Sequence, residues 1–191
     1  MSTAHFNIHE LERLRVASVD AALAYIERDS RAASARRVSS LERAALFACM
    51  AEQSLPVPLA LIGASTLLII DDEPAVLRSM VRVLRQAAPE LKLLLADNGN
   101  EGLALAGTQA PGAILVDAYM PELRGVEVCA RLRESEATRH LPLVAMSADP
   151  TPELARAFER AGVIAFFEKP VAIPALFTVL STELLPELAG D

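Results

Sequence analysis

The sequence predicts an α/β fold, a doubly wound parallel sheet of five strands preceded by a small α-helical hairpin, and three observations carry that expectation. From Ala64-Ser65 onward, short apolar runs alternate with segments of helical period, the pattern of repeated βα units. Runs such as Leu67-Leu68-Ile69-Ile70 and Ile114-Leu115-Val116 are apolar throughout, as strands buried on both faces must be. Four of the runs then end in polar residues: Asp71-Asp72-Glu73, Asp117, Ser147 and Glu168-Lys169-Pro170. Open α/β sheets bind their ligands just past the carboxyl ends of the strands, so these residues are expected at one shared edge.

The elements follow in order. Ile8, Leu11, Leu14, Ala17, Ala21 and Tyr25 recur at helical spacing beside a second stripe of Val16, Val19, Leu23 and Ile26. A helix so broadly apolar must be covered by something. Residues 29–40 are polar and include Arg31, Arg36 and Arg37, which reads as a link. Ser39 followed by Glu42 has the form of a capping box opening a second helix that runs to about Gln53. Residues 1–63 therefore form a helical extension, and 64–191 form the α/β domain. Two helices bury little area alone, so the extension is expected to dock on the rest of the chain or to pair with another copy.

In the α/β part, strands are expected near 66–70, 91–96, 113–117, 142–147 and 163–167, and helices near 74–88, 99–109, 125–134, 151–161 and 173–185. Pro74 suits a first helical turn, and Val76, Leu77, Met80, Val81 and Leu84 supply the core-facing stripe behind it. Asp97-Asn98-Gly99-Asn100 reads as a turn, and Pro150-Thr151-Pro152-Glu153 as a loop entering a helix with an acidic first turn. Right-handed crossovers make the flavodoxin-like strand order 2-1-3-4-5 the natural topology.

Composition narrows the function. Of 191 residues 52% are hydrophobic and only 4% aromatic, with no Trp, so the core is aliphatic. The net charge of -7 is unevenly placed: residues 1–63 hold seven Lys/Arg and seven Asp/Glu, whereas 64–191 hold eleven and eighteen. An acidic domain repels nucleic acid and suits a divalent cation. Cys49 and Cys129 lack metal-ligand companions and read as small buried hydrophobes. The start lacks the charged and apolar regions of a secretory signal, so a cytoplasmic protein is expected. Residues 55–70 carry no charge before Asp71, but Pro56 and Pro58 and the short length fit a connector and buried strand rather than a membrane span.

At the predicted sheet edge three carboxylates, a hydroxyl and an ammonium converge, the equipment for magnesium and a phosphoryl group. Asp71, Asp72 and Asp117 would repel one another without a counter-ion, and magnesium favours a few carboxylates with several retained waters. Manganese is the alternative ion. The Asp71-Asp72 pair, Asp117 followed by Met120-Pro121 and Gly125, Ser147-Ala148, and Lys169-Pro170 occur in the order and separation of one family. Residues from about 66 to about 188 resemble the response-regulator receiver domain of bacterial two-component signalling, chemotaxis regulators included.

That resemblance implies specific roles. Asp117 is the phospho-acceptor, taking a phosphoryl group from a histidine kinase, a phosphotransfer protein or a small acyl phosphate. Asp72 and Asp117 ligate the metal directly, Asp71 acts largely through water, and the backbone carbonyl of Tyr119 contributes. Lys169 pairs with Asp117 and then with the phosphoryl oxygens, and its bond to Pro170 is usually cis in the family. Ser147 and Phe166 are the switch residues that move when the acceptor is modified, biasing the surface of helix 4, strand 5 and helix 5. Tyr119 and Asp149 occupy the two positions that tune phosphoryl lifetime. His9 lacks the rest of a kinase phospho-acceptor motif, and no histidine phosphotransfer role is expected of His5, His9 or His140.

The leading functional expectation is a phosphorylation-switched protein contact, with no enzyme activity beyond the domain's own phosphorylation and dephosphorylation. A carboxy-terminal effector is not expected after Ala189-Gly190-Asp191. Self-association through the amino-terminal helices or through the helix 4, strand 5 and helix 5 face are two candidate modes. A DNA-binding regulator is the alternative raised by Arg28, Arg31, Arg36, Arg37 and Arg43, against which stand the segment's neutral charge and its want of a third helix. A phosphorylation-independent adaptor is the third class. Neither nucleic acid nor membrane is an expected partner.

Overall fold

A computed structural model describes residues 62–184, together with 46–48, 50–52 and 57. Five strands, β1 (Thr66–Ile70), β2 (Lys92–Ala96), β3 (Ala113–Asp117), β4 (Leu143–Ser147) and β5 (Ala165–Glu168), alternate with five helices. These are α1 (Pro74–Ala87), α2 (Gly99–Gln109), α3 (Gly125–Glu134), α4 (Pro152–Arg160) and α5 (Ile173–Leu184). All pairings are parallel and the order is β2-β1-β3-β4-β5, as the crossover rule predicts.

Strand alternation divides the core into two layers. Leu67, Ile69, Leu115, Val144 and Met146 face α1 and α5, while Leu68, Ile70, Ile114, Val116 and Ala145 face α2, α3 and α4. Every residue of β3 and β4 is buried, whereas the edge strands β2 and β5 are partly exposed, as edge strands must be. Gly102 lets α2 lie against the sheet, since a Cβ there would stand 2.4 Å from Ile70 Cδ1.

Helix ends follow local chemistry. Asn98 caps α2 by accepting the Glu101 N–H at 2.8 Å, so the expected turn is at once the helix start. Thr151 does the same for α4 with Leu154, and Pro152 fills the first turn. The expected fifth strand begins two residues later than its apolar run. Gly162 has φ +76, and the Val163 N–H is taken by the Phe158 carbonyl closing α4, so ladder pairing starts at Ala165 and extends to Glu168.

The extension is described only in part: residues 46–48 and 50–52 are helical, within the span expected for the second helix. Phe47, Met50 and Val57 are buried in the same cluster as α1 and α5. The expected first helix, the link, the Ser39/Glu42 box, Cys49 and the arginines from Arg28 to Arg43 lie outside the described residues. Cys129 is fully buried, as expected of a small hydrophobe, and burial pushes its thiol up to about 12. Among the described residues no helix is long and apolar enough to cross a membrane.

One polar side chain ties three segments together. Arg133 on α3 donates to the carbonyls of Arg139 (2.7 Å), Leu141 (2.8 Å) and Gly162 (2.6 Å), stapling the approach to β4 to the turn before β5. Arg133→Met is predicted to destabilise the fold by about 1–3 kcal/mol, because three carbonyls lose a charged donor. Urea unfolding reads this as a lower midpoint with an unchanged slope.

Candidate functional site

The carboxyl ends of β1, β3, β4 and β5 bring the expected residues together. Asp71 and Asp72 follow β1, Asp117 ends β3, Ser147 ends β4 and Lys169 follows β5. Asp71, Asp117 and Ser147 are buried, Asp72 is half-buried, and Tyr119 is exposed. Ligand oxygens of Asp71, Asp72 and Asp117 lie within 4.8 Å of one another, an acidic cluster able to hold a divalent metal ion.

The Lys169 ammonium bridges the pocket, 2.7 Å from Asp71 Oδ2 and 2.8 Å from Asp117 Oδ1. The sequence expectation paired Lys169 with Asp117 alone; the second contact arises because β1 and β3 are adjacent in the sheet. Backbone amides fix the remaining oxygens. The Glu73 N–H donates to Asp71 Oδ1 at 2.9 Å, and the Tyr119 N–H to Asp117 Oδ2 at 3.1 Å. Asp71 Oδ2 is buried, and the Lys169 ammonium 2.7 Å away compensates it. One ammonium cannot neutralise three carboxylates, and an acidic cluster left so under-compensated fits a divalent cation.

Electrostatics agree with this crowding. Burial raises Asp117 above the ordinary carboxylate range, and nearby Asp71 adds to the rise, more than Lys169 and the Tyr119 amide take back. Burial also opposes the Lys169 ammonium, but its two carboxylate partners outweigh this and hold its pKa above the usual lysine range. The raised Asp117 means that the folded chain binds this proton more readily than the unfolded chain. Its ionised form therefore costs stability at neutral pH, and the cost fades as pH falls through that raised value.

Around the centre, Ser147 Oγ accepts the Asp149 N–H at 3.1 Å. Phe166 is half-buried on β5 and stacks on Phe158 of α4, with ring centroids 5.3 Å apart. The Lys169-Pro170 bond is cis. The Arg124 guanidinium sits 5.5 Å over the Tyr119 ring, a cation–π contact absent from the sequence expectation. Gly125 has a function that its neighbours explain: a Cβ there would stand 2.1 Å from the Asp117 carbonyl oxygen, so only glycine lets α3 start against the end of β3.

Comparison with known proteins agrees with this geometry. The family model of the response regulator receiver domain matches residues 67–181. The sensory/regulatory protein RpfC of Xanthomonas campestris pv. campestris is 34% identical over 117 residues, 60% of this chain and 16% of that protein. The polar-differentiation response regulator DivK of Brucella anthropi is 31% identical over 87 residues, 46% of this chain and 71% of that protein. This chain thus spans a small part of RpfC, and its match to DivK covers most of that shorter protein. A solved putative response regulator from Chloroflexus aurantiacus is similar at TM-score 0.58 and 27% identity, covering 63% of this chain and 98% of that one. A receiver domain protein from Clostridium thermocellum, at TM-score 0.58 and 20% identity over 64% of this chain and 96% of that one, has the same fold.

Crowding around Asp117 has two measurable consequences. In metal-free protein, carbon NMR of the carboxyl groups is expected to show Asp117 titrating above the ordinary carboxylate range, and added magnesium to move it down; a midpoint at or below that range contradicts the stated electrostatics. Gly125→Ala is expected to cost about 1–3 kcal/mol in urea unfolding through overpacking against the Asp117 backbone.

Proposed function

The chain belongs to the response regulator receiver family, and from that premise we propose that Asp117 accepts a phosphoryl group from a histidine kinase or phosphotransfer protein and thereby switches a protein contact. The observation that carries this reading is the Lys169 ammonium held between the Asp71 and Asp117 carboxylates at a buried strand edge. Such an arrangement keeps a nucleophilic carboxylate ready and supplies charge where negative oxygens must be received.

In the transfer, an Asp117 carboxylate oxygen attacks the phosphorus of a phosphohistidine. The P–N bond breaks, its electron pair returns to the imidazole nitrogen, and that nitrogen gains a proton from water. The product is an acyl phosphate on Asp117 and a neutral histidine. Lys169 exchanges a carboxylate partner for phosphoryl oxygens, to which an ammonium is a compact charge-assisted donor. The Ser147 hydroxyl, which accepts the Asp149 N–H, turns to donate its own hydrogen to a phosphoryl oxygen. Asp72, Asp117 and the Tyr119 carbonyl would hold magnesium, or manganese in its place, with Asp71 acting through water, and the ion would supply charge neutralisation at the transferring group.

The aromatic switch reads out this change: Phe166, stacked on Phe158, joins β5 to α4, so an altered Ser147 reaches the α4, β5 and α5 face. Tyr119 and Asp149 set the lifetime of the acyl phosphate from either side of the acceptor. The chemistry is the domain's own phosphorylation and dephosphorylation and needs no external metabolite as substrate.

The test uses acetyl phosphate as donor and follows phosphoryl incorporation into the full chain. Wild type is expected to take up the group only with magnesium, Asp117→Asn to fall to background, and Lys169→Met to slow by about 10²-fold. Uptake by Asp117→Asn at the wild-type rate overturns the assignment.

A further inference from the structure

The helical residues carrying Phe47 and Met50 are seated on the receiver, against the α1–α5 surface. Phe47 meets Phe177 of α5 edge to face, with ring centroids 5.8 Å apart and planes at 64°. Val57 donates its N–H to the Ala87 carbonyl at the end of α1, so the connecting chain is tied down as well. Phe47 is 2% exposed and Met50 1%, values of a core rather than of a loosely attached arm.

This cover leaves part of the surface beneath it open. A cavity of about 290 Å³, open to solvent, lies between the helix and the sheet domain, with Phe47, Ala51, Val57, Val83, Val171 and Phe177 among its lining residues. Side chains that border open space have room for a second arrangement, which close-packed neighbours would deny them.

The cavity wall is covalently next to the site. Val171 stands two residues after Lys169, and Ile173, also on the wall, opens α5. Lys169 is held from three directions: its ammonium by Asp71 and Asp117, and its backbone N–H by the Ser147 carbonyl at 2.8 Å. An acyl phosphate on Asp117 changes the ammonium's partners, and a shift of Lys169 has a short path through Pro170 to Val171. Across the open cavity that path ends at Phe47 and Ala51.

We propose that the helical residues around Phe47 are an intramolecular partner of the phospho-acceptor site, whose packing on α5 rearranges around the cavity when Asp117 is phosphorylated. The receiver then presents its state on a second surface, the α1–α5 side, independently of the face bordered by α4. This rests on the acceptor reading of Asp117 and adds to it a route and a receiving element.

The test is hydrogen–deuterium exchange by mass spectrometry on the full chain with magnesium, with and without beryllofluoride as the phosphoryl mimic. In wild type the amides around Phe47 and Met50 are expected to change exchange rate several-fold on adding beryllofluoride, and in Asp117→Asn not to change. Ala51→Leu, which fills the cavity, is expected to abolish that response while amides next to Asp117 still respond. A response beside Asp117 with none around Phe47 overturns the inference and leaves the acceptor reading standing. A wild-type response that survives in Ala51→Leu also overturns it, because the open space at the cavity is then not what permits the change. No response anywhere removes the acceptor reading and this inference together.

Discussion

The structure turns on one ammonium between two buried carboxylates. Asp71 and Asp117 cannot both be ionised in a buried pocket without a counter-charge, and Lys169 supplies one charge to the pair at 2.7 and 2.8 Å. That contact links β5, at one edge of the sheet, to β1 and β3 near its middle, so it needs the register of β1, β3, β4 and β5. It also leaves the acidic cluster under-neutralised, one ammonium against three carboxylates. An apolar sheet thereby builds, at the carboxyl ends of its strands, an acidic cluster able to hold a divalent cation.

The remaining features serve to hold that edge still. Gly125 lets α3 begin against the Asp117 backbone, the Tyr119 and Glu73 amides orient the two carboxylates, and the Ser147 carbonyl holds the Lys169 amide. Further out, Arg133 fixes the turn from which β5 starts, and β5 delivers Lys169. Burial raises Asp117 above the ordinary carboxylate range, a cost that the Lys169 ammonium and the Tyr119 amide offset in part. Stability is thus lowered locally at the place where the proposed chemistry occurs.

Much of this was legible in the sequence, for a physical reason. Strands buried on both faces must be continuously apolar, so Ile114-Leu115-Val116 announces itself and Asp117 stands out at its end. The acid pair, hydroxyl and lysine could be assigned to one edge because parallel strands share an orientation. What pattern does not encode is the identity of contacts between distant side chains. The second partner of Lys169, the triple carbonyl staple of Arg133 and the Arg124–Tyr119 contact depend on three-dimensional neighbours that no local periodicity reports. The late start of β5 is a backbone effect: the apolar run includes Val163, but its N–H is already used in closing α4. The expectation that the amino-terminal helices need covering is met, for the described residues, by the α1–α5 surface, while the rest of that extension lies outside them.

The central claim is that Asp117 is the group that carries the phosphoryl. Borohydride converts an acyl phosphate on aspartate to homoserine, and peptide mass spectrometry then locates it in the chain. After treatment with acetyl phosphate and magnesium, the account predicts homoserine at position 117 and at no other aspartate. Homoserine at 71 or 72, or an unchanged Asp117 in protein that has taken up phosphoryl, would contradict it.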